Sequence, residues 1–441
     1  MFALLALFVS APVLSGGMGW SNGETLRFFG AYLLAVQATP IVGGYVADHW
    51  LGKRWALRIG AGSLLLGHAL LASAAAIPWL VTHHTGTPML ALLAGGGVAL
   101  GHWSPGLPLP AAVDLSYRAV FLCFYGAVTL VAIGNGLFKP ILTVVVGQLP
   151  HASEAARTAA FTTFFLYINI GGLLSIILGG WLAQNFGWGW AFACSALGMA
   201  VSIATMILLD RTYIRPFLDT AKVPAERERA APHGRRFLPS ILVLLALLVV
   251  ASSFSYQSYG FISLFTAQLV RRDVAGFVIP TTWFTALNPV TIMLLTPVLL
   301  ALWRRGGPGS AWTSVQHVAA ALILMGLGFI PLVAAAVEAN RNGLANPLWV
   351  IATIMLIAAS ELLYSPAAMA AATRIAPPRY QTLAIGSQGA AIGVGAWLSG
   401  QLGAIAFEGD KAATMTIVAV AALVVGAGLF ATRSAFARFG L

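Results

Sequence analysis

The sequence has few charged residues and few cysteines. Asp, Glu, Lys and Arg make up only 8% of its 441 residues, whereas soluble globular proteins carry about 25%. With 59% hydrophobic residues and a mean hydropathy of +0.87, this composition excludes a water-soluble globule. The two cysteines, Cys123 and Cys194, lie in apolar runs, so neither a disulfide framework nor a cysteine metal site is expected. We therefore expect an all-α membrane protein without a metal or a cofactor.

Sequence signals for an enzyme are also missing. The chain has no nucleophile elbow of the G-x-S-x-G kind. His68, His83 and His84 have no helical partners that would complete a metal or catalytic site, and His68 is better explained as a core or cavity histidine. The net charge of +11 does not indicate nucleic-acid binding, because the basic residues lie between hydrophobic runs. The chain is not expected to be an enzyme, and no catalytic residue is assigned.

Apolar runs predict twelve membrane spans, and all but the first are long enough to cross about 30 Å of hydrocarbon as a helix. In chain order, the runs are about 2–14, 25–49, 57–81, 119–149, 159–186, 190–209, 237–270, 277–303, 315–337, 347–376, 382–407 and 412–431. A polar segment separates the sixth run from the seventh. The predicted domains are therefore a six-helix bundle over 1–212, a linker over 213–236 and a second six-helix bundle over 237–441.

The distribution of basic residues predicts the orientation of the chain. Seventeen of the 24 Lys and Arg residues fall on one side of the predicted spans and six on the other, with Lys139 inside a span. By the positive-inside rule, the central linker and the C-terminus are cytoplasmic. A thirteen-residue apolar piece at 89–101 is too short to span, so we predict an interfacial or re-entrant segment there. The expected location is a plasma membrane, the inner membrane of a bacterium.

One lysine and one glutamate lie deep inside the apolar runs. Lys139 belongs to the stretch GNGLFKP, and after Pro140 nine further uncharged residues, 141–149, complete its run; Glu361 lies in the run 347–376. A charge near the bilayer centre costs at least about 2.5 kcal/mol, so each should face a water-filled cavity or a partner. Snorkelling to an interface is the alternative for Lys139, but its depth disfavours it. Both residues are candidates for substrate binding.

The stretch GGYVADHWLGKRWALRIG, at 43–60, resembles the signature between the second and third helices of the major facilitator superfamily. Gly43 and Gly44 would allow close helix packing. Asp48 could form a charge relay with Lys53 and Arg54 at the cytoplasmic surface. We expect this motif to serve structure and gating rather than substrate binding.

Five stretches resemble helices of the proton-dependent oligopeptide transporter family, in the order in which they occur there. They are GAYLLAVQATPIVGGYVAD for helix 2, AIGNGLFKPILTVVVGQLP for helix 4, RTAAFTTFFLYINIGGLL for helix 5, TTWFTALNPVTIMLLTPVL for helix 8 and ELLYSPAAMAAATRIAPPR for helix 10. The resemblance covers nearly the whole chain. It implies the twelve-helix fold of the major facilitator superfamily, with two six-helix halves and a substrate site near the midplane.

The resemblance also implies a function, the symport of di- and tripeptides with protons by alternating access. Lys139 would receive the peptide carboxylate, and Glu361 would receive the amino terminus and carry the coupled proton. Asn169 and Asn288 would bond to peptide amides, or would instead cap free backbone carbonyls. Tyr32 would supply a cavity hydroxyl, or would be a core or interfacial tyrosine. The implied partners are small zwitterionic peptides, protons and the lipid bilayer, and a monomer is expected.

The sequence departs from the family pattern at several positions. The family's helix 7 glutamate aligns with Gln257, or with Tyr256 if the alignment shifts by one residue. Gln257 is kept as a candidate substrate-binding residue that cannot titrate. A helix 11 tryptophan aligns with Gln388, and a helix 2 tyrosine aligns with Gln37.

The family's helix 1 motif E-x-x-E-R-F aligns just before Met1, and the arginine that follows it aligns with Phe2. We therefore expect the physiological protein to begin upstream of Met1. In the chain as given, Glu361 would be the only deep carboxyl able to carry a proton, and coupling would be weak or absent. Transport of another small amphipathic solute or drug without protons is one alternative, and a degenerate non-transporting relative is another. Because both deep charges are kept, transport is favoured.

Overall fold

The computed structural model of the chain is almost entirely helical over the residues that it describes. These are residues 2–85, 111–148, 154–210, 237–305, 312–376, 381–436 and 439. The segments 89–101 and 213–236, for which an interfacial piece and a linker were predicted, lie outside the described residues.

Helices account for nearly all of the described chain. They are α1 (Phe2–Ser10), α2 (Asn22–Val46), α3 (Lys53–Thr85), α4 (Ala111–Gln148), α5 (Glu154–Phe186), α6 (Trp188–Leu209), α7 (Phe237–Ser255), α8 (Phe261–Leu269), α9 (Thr281–Arg304), α10 (Ser314–Asn342), α11 (Pro347–Ile375), α12 (Gln381–Glu408), α13 (Lys411–Ala431) and α14 (Arg433–Phe436). Short 3₁₀ turns occur at Val13–Ser15 and Tyr256–Ser258, and a π turn at Ala47–Leu51 joins α2 to α3.

Eleven helical segments in the described residues are long and apolar enough to cross a membrane. They correspond to the second through twelfth predicted spans, so the hydropathy reading of these spans is confirmed. The first predicted span contains α1, which has nine residues.

The chain divides into two compact units. The first unit comprises Met1–Thr25 and Thr39–Ala221, and the second comprises Leu26–Ala38 and Lys222–Leu441. The predicted bundles, 1–212 and 237–441, assign the whole of α2 to the first half. By contacts, Leu26–Ala38, the middle of α2, groups with the second unit.

Small residues bring α2, α3 and α4 together in the first unit. A Cβ atom added at Gly134 would lie 2.8 Å from the carbonyl oxygen of Gly60, and one added at Gly43 would lie 2.2 Å from that of Gly136. Such contacts between backbones are possible only without side chains. The helices therefore associate by the close packing that apolar surfaces in lipid require.

The second unit has a continuous apolar core. Its largest fully buried side chains include Phe261, Phe265 and Phe329, and Leu322 and Met325 of α10 are also completely buried. The segment Leu26–Ala38 packs against α12 in the same unit, again through small residues. This packing fixes α12 beside the polar residues described below.

The seventh predicted span is broken in its middle. Here α7 ends at Ser255, the 3₁₀ turn Tyr256–Ser258 follows, and α8 begins at Phe261. Gly260 has φ −102° and ψ −90°, outside the helical region. The hydroxyl of Ser263 donates to the carbonyl of Ser258, which partly satisfies the backbone at the break. The predicted span 237–270 is therefore one membrane span whose helix is interrupted in its middle.

A short hairpin follows α8. Strands β1 (Asp273–Val274) and β2 (Phe277–Val278) are antiparallel, with Asp273 paired to Val278. The two turn residues between them, Ala275 and Gly276, have φ of 52° and 82°. Positive φ at both positions is typical of the two-residue turns that match the twist of a hairpin.

Candidate functional site

Glu361 lies in the middle of α11 and accepts hydrogen bonds from two other elements. The hydroxyl of Ser255, at the end of α7, donates to Oε1. The side-chain amide of Asn288 on α9 donates to Oε2 at 3.2 Å. Asn288 is 3% exposed and Glu361 is partly exposed. Two neutral donors therefore fix the orientation of the carboxyl group without neutralising it.

Tyrosines surround this carboxyl group. The hydroxyl of Tyr259 is 3.5 Å from Oδ1 of Asn288, a distance at the limit of a hydrogen bond. Tyr256 and Tyr259 both lie close enough to Glu361 to interact electrostatically with its carboxylate, and so does Tyr364 on α11. We call Ser255, Tyr256, Tyr259, Asn288 and Glu361 the Glu361 cluster.

Three of the five members of this cluster lie in or directly beside the break in the seventh span. Ser255 and Tyr259 stand four residues apart, and Tyr256 is held by Gln37, whose Nε2 donates to its hydroxyl at 3.0 Å. Irregular backbone at membrane depth is tolerated where it is buried in protein or lines a water-filled cavity. Interrupted helices of this kind form the binding sites of many secondary transporters. The broken span therefore points to this region as a binding site.

The charge of Glu361 has no basic partner in the described part of the chain. The ion pairs found there join Arg27 to Glu408, and Arg54 and Arg58 to Asp210. An ionised carboxylate has about four lone-pair positions, and the two donors of the cluster occupy only two of them. Glu361 can therefore accept a proton or a cationic group such as an ammonium.

Lys139 lies in the first unit, on α4, directly before Pro140. Pro140 has no N–H to offer to the carbonyl of Gly136, so the regular hydrogen-bond ladder is interrupted at this turn. The side chain of Lys139 is exposed although its span is apolar. Asn135, one turn earlier, lies on the same face of the helix. Asn169, on α5, is partly exposed.

Two other candidates are packed inside the second unit. Tyr32 is 7% exposed, and its ring stacks on Phe28 with centroids 6.2 Å apart. Gln257 is fully buried, and its Nε2 donates to the carbonyl of Ser399 at 3.0 Å, which ties the 3₁₀ turn to α12. The neighbouring Tyr256, which is the alternative alignment partner, is the one that belongs to the Glu361 cluster.

The motif between α2 and α3 covers the end of α2, the π turn and the beginning of α3. An added Cβ at Gly43 would lie 2.2 Å from the carbonyl oxygen of Gly136 on α4, whereas an added Cβ at Gly44 would meet no atom within 4 Å. The side chain of Asp48 lies outside the described residues. Lys53 is partly exposed.

The described carboxylate partner of Arg54 is Asp210, at the end of α6. Nη2 of Arg54 is 2.5 Å from Oδ2 of Asp210, and Nη2 of Arg58 is 3.0 Å from the same oxygen. Arg54 and Arg58, near the beginning of α3, therefore hold the end of α6 through ion pairs with Asp210. The sequence analysis did not identify Asp210 as the partner of these arginines, because its position at the end of a span is the only sequence feature that distinguishes it.

Sequence reasoning also missed Ser255 and Tyr259. A signal for them was available, because the stretch SSFSYQSYG places several hydroxyl groups within an otherwise apolar run. Such a cluster of polar side chains inside a span indicates helix contacts or a cavity. Asn135 was visible in the stretch GNGLFKP but was not assigned a role.

Comparisons with known proteins show which family this chain resembles. The sequence profile of the POT family matches residues 54–227 and 222–419. The peptide transporter YePEPT of Yersinia enterocolitica is 26% identical, over 91% of this chain and 83% of its own length. Dipeptide and tripeptide permease A of Chromobacterium violaceum is 23% identical, over 86% of this chain and 77% of its own length.

The fold is also similar to that of a solved transporter. The crystal structure of a mutant of peptide transporter POT in complex with alafosfalin superposes with a TM-score of 0.78 at 20% identity, over 99% of this chain and 91% of that one. The protein is thus a multi-pass membrane protein with the predicted fold of the major facilitator superfamily. Since the profile covers most of the chain, this protein belongs to the POT family.

Proposed function

We propose that this protein is a secondary active transporter that takes up di- and tripeptides together with protons by alternating access. The observation that carries the proposal is Glu361, a carboxyl at membrane depth that is oriented by Ser255 and Asn288 and has no basic partner among the described residues. The names of the relatives, which include peptide transporters and a dipeptide and tripeptide permease, support the substrate class.

Glu361 is proposed to receive the amino terminus of the peptide. An ammonium would occupy lone pairs of the carboxylate that Ser255 and Asn288 leave open. Charge-assisted hydrogen bonds of this kind contribute about 1.5–3 kcal/mol each. A proton would neutralise the same carboxylate, so a peptide amine and a proton act on one group. This provides a physical basis for coupling the two.

Lys139 is proposed to receive the peptide carboxylate. Lys139 is an exposed residue of an otherwise apolar helix, directly before Pro140. Asn169 and Asn135 would contribute neutral hydrogen bonds from the same unit. Asn288 is proposed to act through Glu361, because it already donates to that carboxylate.

The orientation and assembly are part of the proposal. The excess of basic residues on one side supports a cytoplasmic central linker and C-terminus in a bacterial inner membrane. We propose a monomer as the transporting unit.

Uptake of radiolabelled dialanine into proteoliposomes, with and without an imposed pH gradient, tests the proposed function. We expect accumulation above equilibrium only with the gradient. The variant Glu361→Gln should abolish accumulation, while Glu24→Gln, the same change within an exposed capping box, should retain it because glutamine also fits that motif. No uptake of dialanine by the wild-type protein under either condition would contradict the proposal.

A further inference from the structure

A groove runs between α3 and α6 in the first unit. Its volume is about 300 Å³. Arg54, Arg58 and Asp210 line one end, where α3 begins and α6 ends. The remaining lining side chains are apolar, and they extend from this polar end into the membrane-spanning part of both helices. The groove is thus charged at one end and apolar along the rest of its length.

The polar end carries a net positive charge from its three lining residues. Two guanidinium groups share the single carboxylate of Asp210, and one Nη2 of Arg58 bonds to it at 3.0 Å. The side chain of Arg58 is 38% exposed. A guanidinium has five N–H donors, so Arg58 can bind a second anion while it keeps its bond to Asp210.

Exposed aromatic side chains lie near this end of the groove. Trp50 and Trp55 are 77% and 60% exposed, and the guanidinium of Arg58 lies 5.6 Å from the ring centroid of Trp55. Exposed tryptophans are enriched where a membrane protein crosses the interface between hydrocarbon and water. A phosphate at this depth would meet Arg58 directly.

The apolar length of the groove is open to lipid. In the most apolar window of α6, only 6% of the residues are buried, and Ile207 is 67% exposed. Leu57 and Ala61 of α3, which are buried, form the floor between the two helices. A hydrocarbon chain laid over this floor would contact Ile203 and Ile207. A water-soluble anion would gain nothing from these contacts.

We propose that this groove is a binding site for one anionic phospholipid. The headgroup phosphate binds Arg58 beside Asp210, and one acyl chain lies along Ala61, Ile203 and Ile207. Arg54 stays with Asp210 and holds the two helix ends in place. The net positive charge at the polar end selects a lipid with net negative charge over a zwitterionic one.

Native mass spectrometry of the detergent-purified full chain tests the site, with dioleoyl phosphatidylglycerol as the probe. The wild type should retain one tightly bound lipid, and Arg58→Gln should weaken its retention about fivefold, the effect of one basic residue near a membrane surface. Arg433→Gln is the matched control, because Arg433 also stacks on an aromatic ring, that of Phe430, at a helix end. Equal losses in both variants would overturn the proposal.

Further arms of the same experiment separate the possible ligands. Dioleoyl phosphatidylethanolamine should be retained less well than phosphatidylglycerol, and inorganic phosphate should not displace the bound lipid. Equal retention of both lipids, or displacement by inorganic phosphate, would refute a site for anionic phospholipid. If Arg58→Gln fails to fold, Arg58→Lys takes its place. This variant should fold and lose less lipid than the fivefold expected for Arg58→Gln, since lysine keeps the positive charge and lacks only the planar set of N–H donors of arginine. No loss with Arg58→Lys and Arg58→Gln alike would exclude Arg58 from the site.

Discussion

Replacing Gly43 with alanine should loosen the contact between α2 and α4. The new Cβ would lie 2.2 Å from the carbonyl oxygen of Gly136 and 2.4 Å from its carbonyl carbon. Ordinary contact begins near 3.4 Å, so the helices would have to separate by about 1.2 Å at this point. Because both atoms belong to backbone, no side-chain rotation can relieve the clash. Overpacking of this kind costs about 1–3 kcal/mol.

Gly44→Ala provides the matched control. It adds the same methyl group to the same helix one residue later, where no atom lies within 4 Å. The effect of alanine on intrinsic helix preference therefore cancels between the two variants. Thermal unfolding of the detergent-purified proteins, followed by tryptophan fluorescence, should show a lower Tm for Gly43→Ala only. If the two variants unfold at the same temperature, the packing derived for Gly43 is wrong.

Two further predictions concern polar contacts. Asp210→Asn should destabilise the protein by about 1–3 kcal/mol, because two arginines lose a shared carboxylate that is 12% exposed. Glu408→Gln should cost at most about 1 kcal/mol, because its pair is half exposed; denaturation of both variants checks this order. Gln257→Glu should be less stable at pH 8 than at pH 6, since only a protonated carboxyl can donate to the carbonyl of Ser399; a pH-independent Tm would contradict this reasoning.

The sequence predicted the membrane spans well for a physical reason. A helix that crosses hydrocarbon needs about 20 apolar residues, and its backbone must be bonded within the segment, so hydropathy alone locates it. Lys139 and Glu361 were chosen as candidates by the same reasoning, because a charge inside such a run needs a specific environment.

The contacts that shape the candidate site were not predictable in this way. Ser255 and Glu361 are 106 residues apart in the chain, and Arg54 and Asp210 are 156 apart. Neither pairing is encoded in local periodicity. The break at Tyr256–Ser258 occupies only three residues. Hydropathy averaged over the length of a membrane span does not reveal so short an interruption. The placement of Gln257 against Ser399 likewise depends on how α12 packs.

The central claim is that Glu361 recognises the amino end of a peptide. The most direct test compares the binding of dialanine and N-acetyl-dialanine to the wild type and to Glu361→Gln by isothermal titration calorimetry. We predict that the substitution weakens the binding of dialanine about tenfold or more and leaves the binding of the acetylated peptide unchanged, because only the free amine uses the carboxylate. Lys139→Ala should show the corresponding pattern, weakening the binding of dialanine but not of its C-terminal amide, with Lys411→Ala as the control lysine. Equal losses for the free and the acetylated peptide in Glu361→Gln would contradict the account.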